Sequence, residues 1–204
     1  GGQFTVNNEA VATTSSASAF SIPRMTSQYR LTGDFDYQVD YRIGAGWSDP
    51  LPPNSGLEIQ MAVYWDDSRY IQIGRGRDNG GEYIKPATTI AGQTGINSIR
   101  IDNSQTQGKF RAVRTGTALT LKYHNGTAWI DLATATVPAE AAYAYLGTIS
   151  GNASRAFTAY FDNFLLNSGP NSYHPFTRST SFRRRPDFYV GGVVCDYMAF
   201  MNWG

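Results

Sequence analysis

Catalysis by paired carboxylates needs two acidic side chains about 5–9 Å apart across a scissile bond, and this chain offers few candidates. Glutamate occurs only at Glu9, Glu58, Glu82 and Glu140. Glu58 is followed at the same-face positions of a strand by Gln60 and Ala62, and Glu82 by Tyr83, Ile84 and Lys85, so neither brings an acidic neighbour. His124 sits beside Asn125-Gly126 and His174 precedes Pro175; neither forms a recognisable triad pattern. Cys195 is the lone cysteine, and no His or Cys cluster has metal-ligand spacing. These absences predict a chain that is not an enzyme.

Side chains suited to holding a ligand are more numerous. Trp47 lies in the long Gly44–Gly56 segment (GAGWSDPLPPNSG) among prolines and glycines. Its indole either stacks on a sugar ring or folds back as a lid over the edge of the core. Gln60 and Tyr64 fall on the polar side of Leu57–Trp65, with Arg69 just past the following turn. Together they read as a polar-aromatic platform for carbohydrate or as a plain solvated face.

The elements that must carry these residues are strands. In Phe35, Tyr37, Val39, Tyr41 and Ile43 apolar residues alternate with Asp36, Gln38, Asp40 and Arg42, and Leu57, Ile59, Met61, Val63 and Trp65 repeat the pattern. Period two makes one buried and one wet face on a strand and scatters the apolar set on a helix. Ile71 with Ile73, Ile99 with Ile101, and Leu119 with Leu121 and Tyr123 continue it. Asp66-Asp67-Ser68, Asp78-Asn79-Gly80-Gly81 and Thr115-Gly116 are turn chemistry between such runs, and Asn125-Gly126 predicts a two-residue type I′ hairpin. With 16% charged and 14% aromatic residues and 21 glycines in 204 residues, composition agrees with strands and tight turns. The expected fold is all-β: a two-sheet antiparallel jelly-roll sandwich with N- and C-terminal extensions. A formal net charge of +1 gives no long-range attraction to nucleic acid, and the short Arg183–Arg185 run reads as linker or interfacial anchor.

Four phrases occur in order: LTGDFDYQVDYRI (Leu31–Ile43), AVYWDDSRYIQIGRGRDNGGEYI (Ala62–Ile84), GKFRAVRTGTALTLKYHNGTAWIDL (Gly108–Leu132) and AYFDNFLLNSG (Ala159–Gly169). Together they resemble the concanavalin A-like lectin/glucanase superfamily of bacterial and phage surface proteins, over roughly Phe20 to Gly169. The resemblance implies a curved jelly roll whose first and last strands lie side by side, with glycan contact on one sheet face. The superfamily's enzymes carry a Glu-x-Asp-x-Glu type run on one strand, which this chain lacks. The resemblance also puts Asp34 and Asp162 on neighbouring strands, where with Asn163 they would either ligate a structural Ca²⁺ or cap turns. No other cofactor is expected.

Three regions follow: 1–19, an apolar arm with Phe4 and Val6 on a Ser/Thr/Ala-rich tether; 20–169, the jelly roll; and 170–204, a connector and apolar tail. Phe188, Tyr189, Val193, Tyr197, Phe200 and Trp203 are costly to leave in water, yet the tail is too short and interrupted to span a bilayer. It either completes its own sandwich or adds as a strand to another copy. The sequons at Asn125 and Asn152 are acceptors for N-glycosylation in a suitable compartment. The leading expectation is a structural subunit of an extracellular, cell-surface or virion-surface assembly, its copies linked through terminal strands. The alternative is a carbohydrate-binding module, and partners are therefore other copies of the chain or glycans.

Overall fold

The computed structural model describes residues 3–7, 9–16, 20–27 and 30–169, and the backbone of 188–190 and 193–195. Its strands are β1 (Gln3–Asn7), β2 (Glu9–Thr13), β3 (Phe20–Ser21), β4 (Arg24–Ser27), β5 (Phe35–Ile43), β6 (Gly56–Asp66), β7 (Arg69–Asp78), β8 (Gly81–Thr88), β9 (Ile101–Asp102), β10 (Gln107–Thr115), β11 (Ala118–His124), β12 (Trp129–Thr136), β13 (Tyr143–Gly151), β14 (Thr158–Ser168), β15 (Phe188–Val190) and β16 (Val193–Cys195). A single 3-10 turn, Ile96–Ser98, is the only helical element among the described residues. One sheet runs β1-β2-β14-β5-β10-β11-β12 and the other β16-β15-β4-β13-β6-β7-β8-β9, with β3 also on β13. Both are antiparallel throughout, as alternating sequences joined by short turns require.

The alternating residues meet in one core. Phe35, Tyr37, Val39 and Tyr41 of β5 and Phe161 of β14 are buried in the first sheet, and Leu57, Ile59, Met61, Val63, Ile71 and Ile73 in the second. Each such side chain contributes about 1.5–3 kcal/mol by leaving water. The Tyr37 hydroxyl donates to the Ala62 carbonyl at 2.6 Å, tying the sheets together through the core. Burial pushes the Tyr37 pKa far up, so this donor stays protonated.

Two expectations change. The Ser/Thr/Ala stretch, Val11 to Ala19, begins inside a sheet strand: its residues 11–13 belong to β2, which pairs with β14 and buries Ala10 and Ala12 in the core, and 17–19 lie outside the described residues. Small side chains at alternate positions let this strand seat closely, and Thr14 continues it by bonding Arg155 and Phe157. The Asn125-Gly126 hairpin exists, but its ladder closes at His124 opposite Trp129, leaving a four-residue turn. Asn125 Oδ1 accepts from Thr127 N, Thr127 Oγ1 and Ala128 N, so a side chain closes the turn that two positive-φ residues were expected to make. Of the pair only Gly126 has positive φ, at 103°.

The terminal strands lie on their own chain. Phe4 and Val6 are β1 positions opposite Ala12 and Ala10 of β2. Phe188 and Tyr189 pair with Ser27 and Thr26 of β4, and Val193 with Val190. Tyr197, Phe200, Trp203 and Arg183–Arg185 lie outside the described residues.

The far edge of the first sheet is β12. There the Gln93 amide bonds both backbone groups of Thr136, its Nε2 donating to the carbonyl at 3.0 Å and its Oε1 accepting from the N–H at 3.1 Å. No described helix is long and apolar enough to cross a membrane.

Candidate functional site

The outward positions of β4, β13, β6, β7 and β8 form one polar surface. Register places Arg24, Gly147, Gln60, Gly74 and Lys85 in one row across the five strands. A neighbouring row holds Thr26, Tyr145, Ala62, Gln72 and Ala87, and Tyr143, Tyr64 and Tyr70 form a third over β13, β6 and β7. A groove of about 190 Å³ lies over these rows, lined by Ile22, Arg24, Gln60, Tyr64, Gln72 and Tyr145 among others.

Glu58 organises its floor. Glu58 Oε1 accepts from Gln60 Nε2 at 2.8 Å and from Gln72 Nε2 at 3.1 Å, while Oε2 pairs with Lys85 Nζ at 3.2 Å. Gly74 makes this possible: a Cβ there would collide with the Glu58 carboxylate, which lies flat across β7. Burial works to lower the Lys85 pKa, but the charges of Glu58 and Tyr83 outweigh it and hold it above its ordinary value. Lys85 therefore stays cationic and keeps Glu58 paired. Three donors on one carboxylate make Glu58 a structural hub, with no second carboxylate among its bonds.

The rim is aromatic. Tyr64 and Tyr145 stack with ring centroids 6.1 Å apart, and Tyr64 donates its hydroxyl to Asp67 Oδ1 at 2.7 Å. Burial, then the hydrogen bond to Asp67 and its charge, push the Tyr64 pKa up. The bonds from Tyr64 and Arg24 hold Asp67 below the usual carboxylate range. The groove's charges are thus internally balanced, and its rim is neutral and aromatic.

Of the residues expected to bind carbohydrate, the structure joins Gln60 and Tyr64 and separates the others. Trp47 is 3% exposed, which matches the lid reading of its loop and not the sugar-stacking one. Its ring meets Phe157 edge-on at 5.5 Å, its Nε1 donates to Glu82 Oε1 at 3.2 Å, and the Arg75 guanidinium lies 5.3 Å from its centroid. Arg75, itself 0% exposed, pairs with Glu82 and donates to the Gln105 carbonyl at 3.1 Å. Arg77 donates to the carbonyls of Trp47 and Asp49, and Gly46, at φ 82°, packs against Ala156 where a side chain would not fit. The long loop is a lid that closes this end of the core. Arg69 sits at the other end, bonded to Asp66 Oδ2 at 2.7 Å and Glu140 Oε2 at 3.1 Å.

Gln72, Tyr70 and Tyr145 complete the groove and were not singled out from the sequence. Gln72 did carry a signal, as the polar residue between Ile71 and Ile73. Tyr145 gave none, because only register against β6 sets it beside Tyr64.

Of the two readings of Asp34, Asp162 and Asn163, calcium ligation or turn capping, the geometry shows capping at Asp34. Asp162 stands opposite Asp40 on β5, six residues from Asp34, which is about 20 Å along a strand. Asp34 instead accepts from the Gly116 N–H at 2.6 Å and caps the β10–β11 turn. Asn163 Nδ2 donates to Asp40 Oδ2 at 3.0 Å. No described group of three or more His, Cys, Asp or Glu side chains is arranged to hold a metal.

A larger concavity of about 690 Å³ lies on the outward face of the first sheet, lined by Asp40, Arg42, Lys109, His124, Tyr160 and Asp162 among others. Part of its charge is paired within it, and Asp40 Oδ1 is buried without a hydrogen-bond partner among the described residues. Asp40 pairs with Lys109 at 2.9 Å, and the Arg42 guanidinium lies 3.8 Å from the Tyr160 centroid. The same face carries the bidentate Arg111–Asp36 pair and the Lys122–Asp131 pair. Both sequon asparagines are exposed, Asn125 in its turn and Asn152 at φ 52°.

No family model matches the chain, and no curated protein matches it in sequence. Solved structures do match in fold. A legume lectin-like domain from Entamoeba histolytica aligns at 13% identity over 80% of this chain and 87% of that one, with a TM-score of 0.54. A functionally unknown protein from Saccharomyces cerevisiae aligns at 12% identity over 83% and 96%, with a TM-score of 0.51. The GH43 BlXynB protein from Bacillus licheniformis aligns at 12% identity over 78% of this chain but 32% of its own length, with a TM-score of 0.54. These likenesses, together with the two-sheet topology, show a concanavalin-like jelly roll. At such identities they show the fold alone.

Proposed function

We propose that this chain is a carbohydrate-binding module whose ligand lies in the groove over β4, β13, β6 and β7. The observation that carries the reading is the grouping of Tyr64, Tyr70 and Tyr145 around two glutamine amides held by one carboxylate. Aromatic faces stack on the apolar face of a sugar ring, and oriented amides meet its hydroxyls. The likeness to a legume lectin-like domain supports the same direction as analogy. Binding without catalysis is the favoured form, because Glu58 is engaged by two amides and an ammonium, and Glu82 by Arg75 and Trp47. Self-assembly through terminal strands, the first expectation, is the second reading, and the observation behind it is that β1 and β16 are edge strands of the two sheets.

A glycan array with the wild type and Tyr64→Ala tests the proposal. Binding by the wild type that falls at least tenfold in the variant supports it, whereas silence across the array rejects it. Release of reducing sugar from a bound glycan would overturn the non-catalytic part alone.

A further inference from the structure

Glu58 turns both glutamines the same way. Each side-chain amide has a donor end and an acceptor end, and a free glutamine presents either. Here Gln60 Nε2 and Gln72 Nε2 both point at Glu58 Oε1, at 2.8 and 3.1 Å. A carboxylate without its proton accepts hydrogen bonds and donates none, so it selects the NH₂ end of both amides. Both amides line the groove, and their carbonyl ends are turned away from Glu58.

Resting on the carbohydrate reading of this groove, we infer that the site selects neutral pyranosides, with two sugar hydroxyls acting as donors to Gln60 Oε1 and Gln72 Oε1. Glu58 is the positioning residue that sets this polarity. Lys85 cancels the charge of Glu58, and Asp67 cancels that of Arg24 at 3.4 Å. With local charge balanced and carbonyl oxygens at the floor, a sugar carboxylate meets lone pairs, which disfavours uronates. A sugar hydroxyl can donate or accept, so it is the donating role that the floor enforces.

The full-length chain is titrated with methyl glucopyranoside, galactopyranoside and mannopyranoside, and with glucuronate. For each neutral sugar that binds, the series of monodeoxy and monodeoxyfluoro analogues follows, since fluorine cannot donate. The expected result is binding of a neutral pyranoside over glucuronate. At two positions deoxy and deoxyfluoro analogues should be weakened alike, by about tenfold. Gln72→Leu should abolish discrimination at one of those positions. Glu58→Gln should keep measurable binding but shrink the penalty for the fluoro analogues, because the freed amides turn their NH₂ groups outward. Circular dichroism and thermal melting of each variant separate this from loss of fold, and Gln72→Leu stands as an independent arm if Glu58→Gln does not fold. If neutral sugars bind but fluoro analogues match the parent, or glucuronate is preferred, the acceptor assignment is overturned while the carbohydrate reading stands. If no neutral or acidic sugar in this set or on the array binds, the carbohydrate reading fails and takes this inference with it.

Discussion

The closed loop end around Trp47 and the groove around Tyr64 are built from the same kinds of side chain, yet they end in opposite states. Around Trp47 each polar group has a partner inside the protein: Nε1 on Glu82, the carbonyl on Arg77, and Glu82 on Arg75. Around Tyr64 the carboxylate is satisfied, while the two buried glutamine amides and the tyrosines border the groove, with the carbonyl ends of the amides turned away from Glu58. An aromatic residue near a glutamate and an arginine is therefore no guide to a ligand site. What distinguishes a site is hydrogen-bonding capacity that the protein orients and does not consume.

Substitutions can break this contrast at either end. The largest effect is expected at the closed end. Trp47→Ala removes a buried ring and should cost about 3–5 kcal/mol of stability, read as a lowered denaturant midpoint. Molecules that remain folded should bind sugar as before; a parallel loss of affinity would merge the two regions into one. At the open end, Gln72→Leu should weaken binding at least about tenfold, near 1.4 kcal/mol, with a smaller change in melting temperature. A smaller effect is expected from acid. Hydrogen bonds from Ser68 and Arg69 hold Asp66 at about 2, against an ordinary value of 3.8. Because the folded value is the lower one, the stabilisation of this hairpin is present above 3.8 and lost as pH falls toward about 2. Amide protection at Asp66–Arg69, taken relative to the intrinsic exchange rate at each pH, should fall over that window and not above it. The smallest effect belongs to the face with paired charges, where Asp131→Asn breaks an exposed bond to Lys122 and should change stability by less than about 1 kcal/mol and leave sugar binding unchanged.

The sandwich was readable because alternation is a local property: Phe35 to Ile43 and Leu57 to Trp65 declare their buried faces residue by residue. Gln60 and Tyr64 were readable for the same reason, as the polar side of one such strand. Tyr145 and Tyr70 were not, since their approach to Tyr64 depends on the register of three strands. Trp47 was left open between stacking and lid because the anchors that close its loop, Arg75, Arg77 and Glu82, lie about 30 residues onward. Asp34 immediately precedes β5 and Asp162 lies on the neighbouring β14, but spacing in sequence did not tell that Asp162 faces Asp40, toward the far end of β5. The start of the Ser/Thr/Ala stretch was read as tether because small polar residues suit a linker, when at 11–13 they also suit a closely seated strand.

The grip of Gln93 on β12 bears on how this protein behaves when crowded. A sheet margin with open amides invites a second molecule to zip alongside it, and concentrated β-proteins precipitate by that route. With both backbone groups of Thr136 already held, a newcomer finds one residue fewer to zip onto at that end of β12. One borrowed side chain thus closes the end of that margin to strand addition.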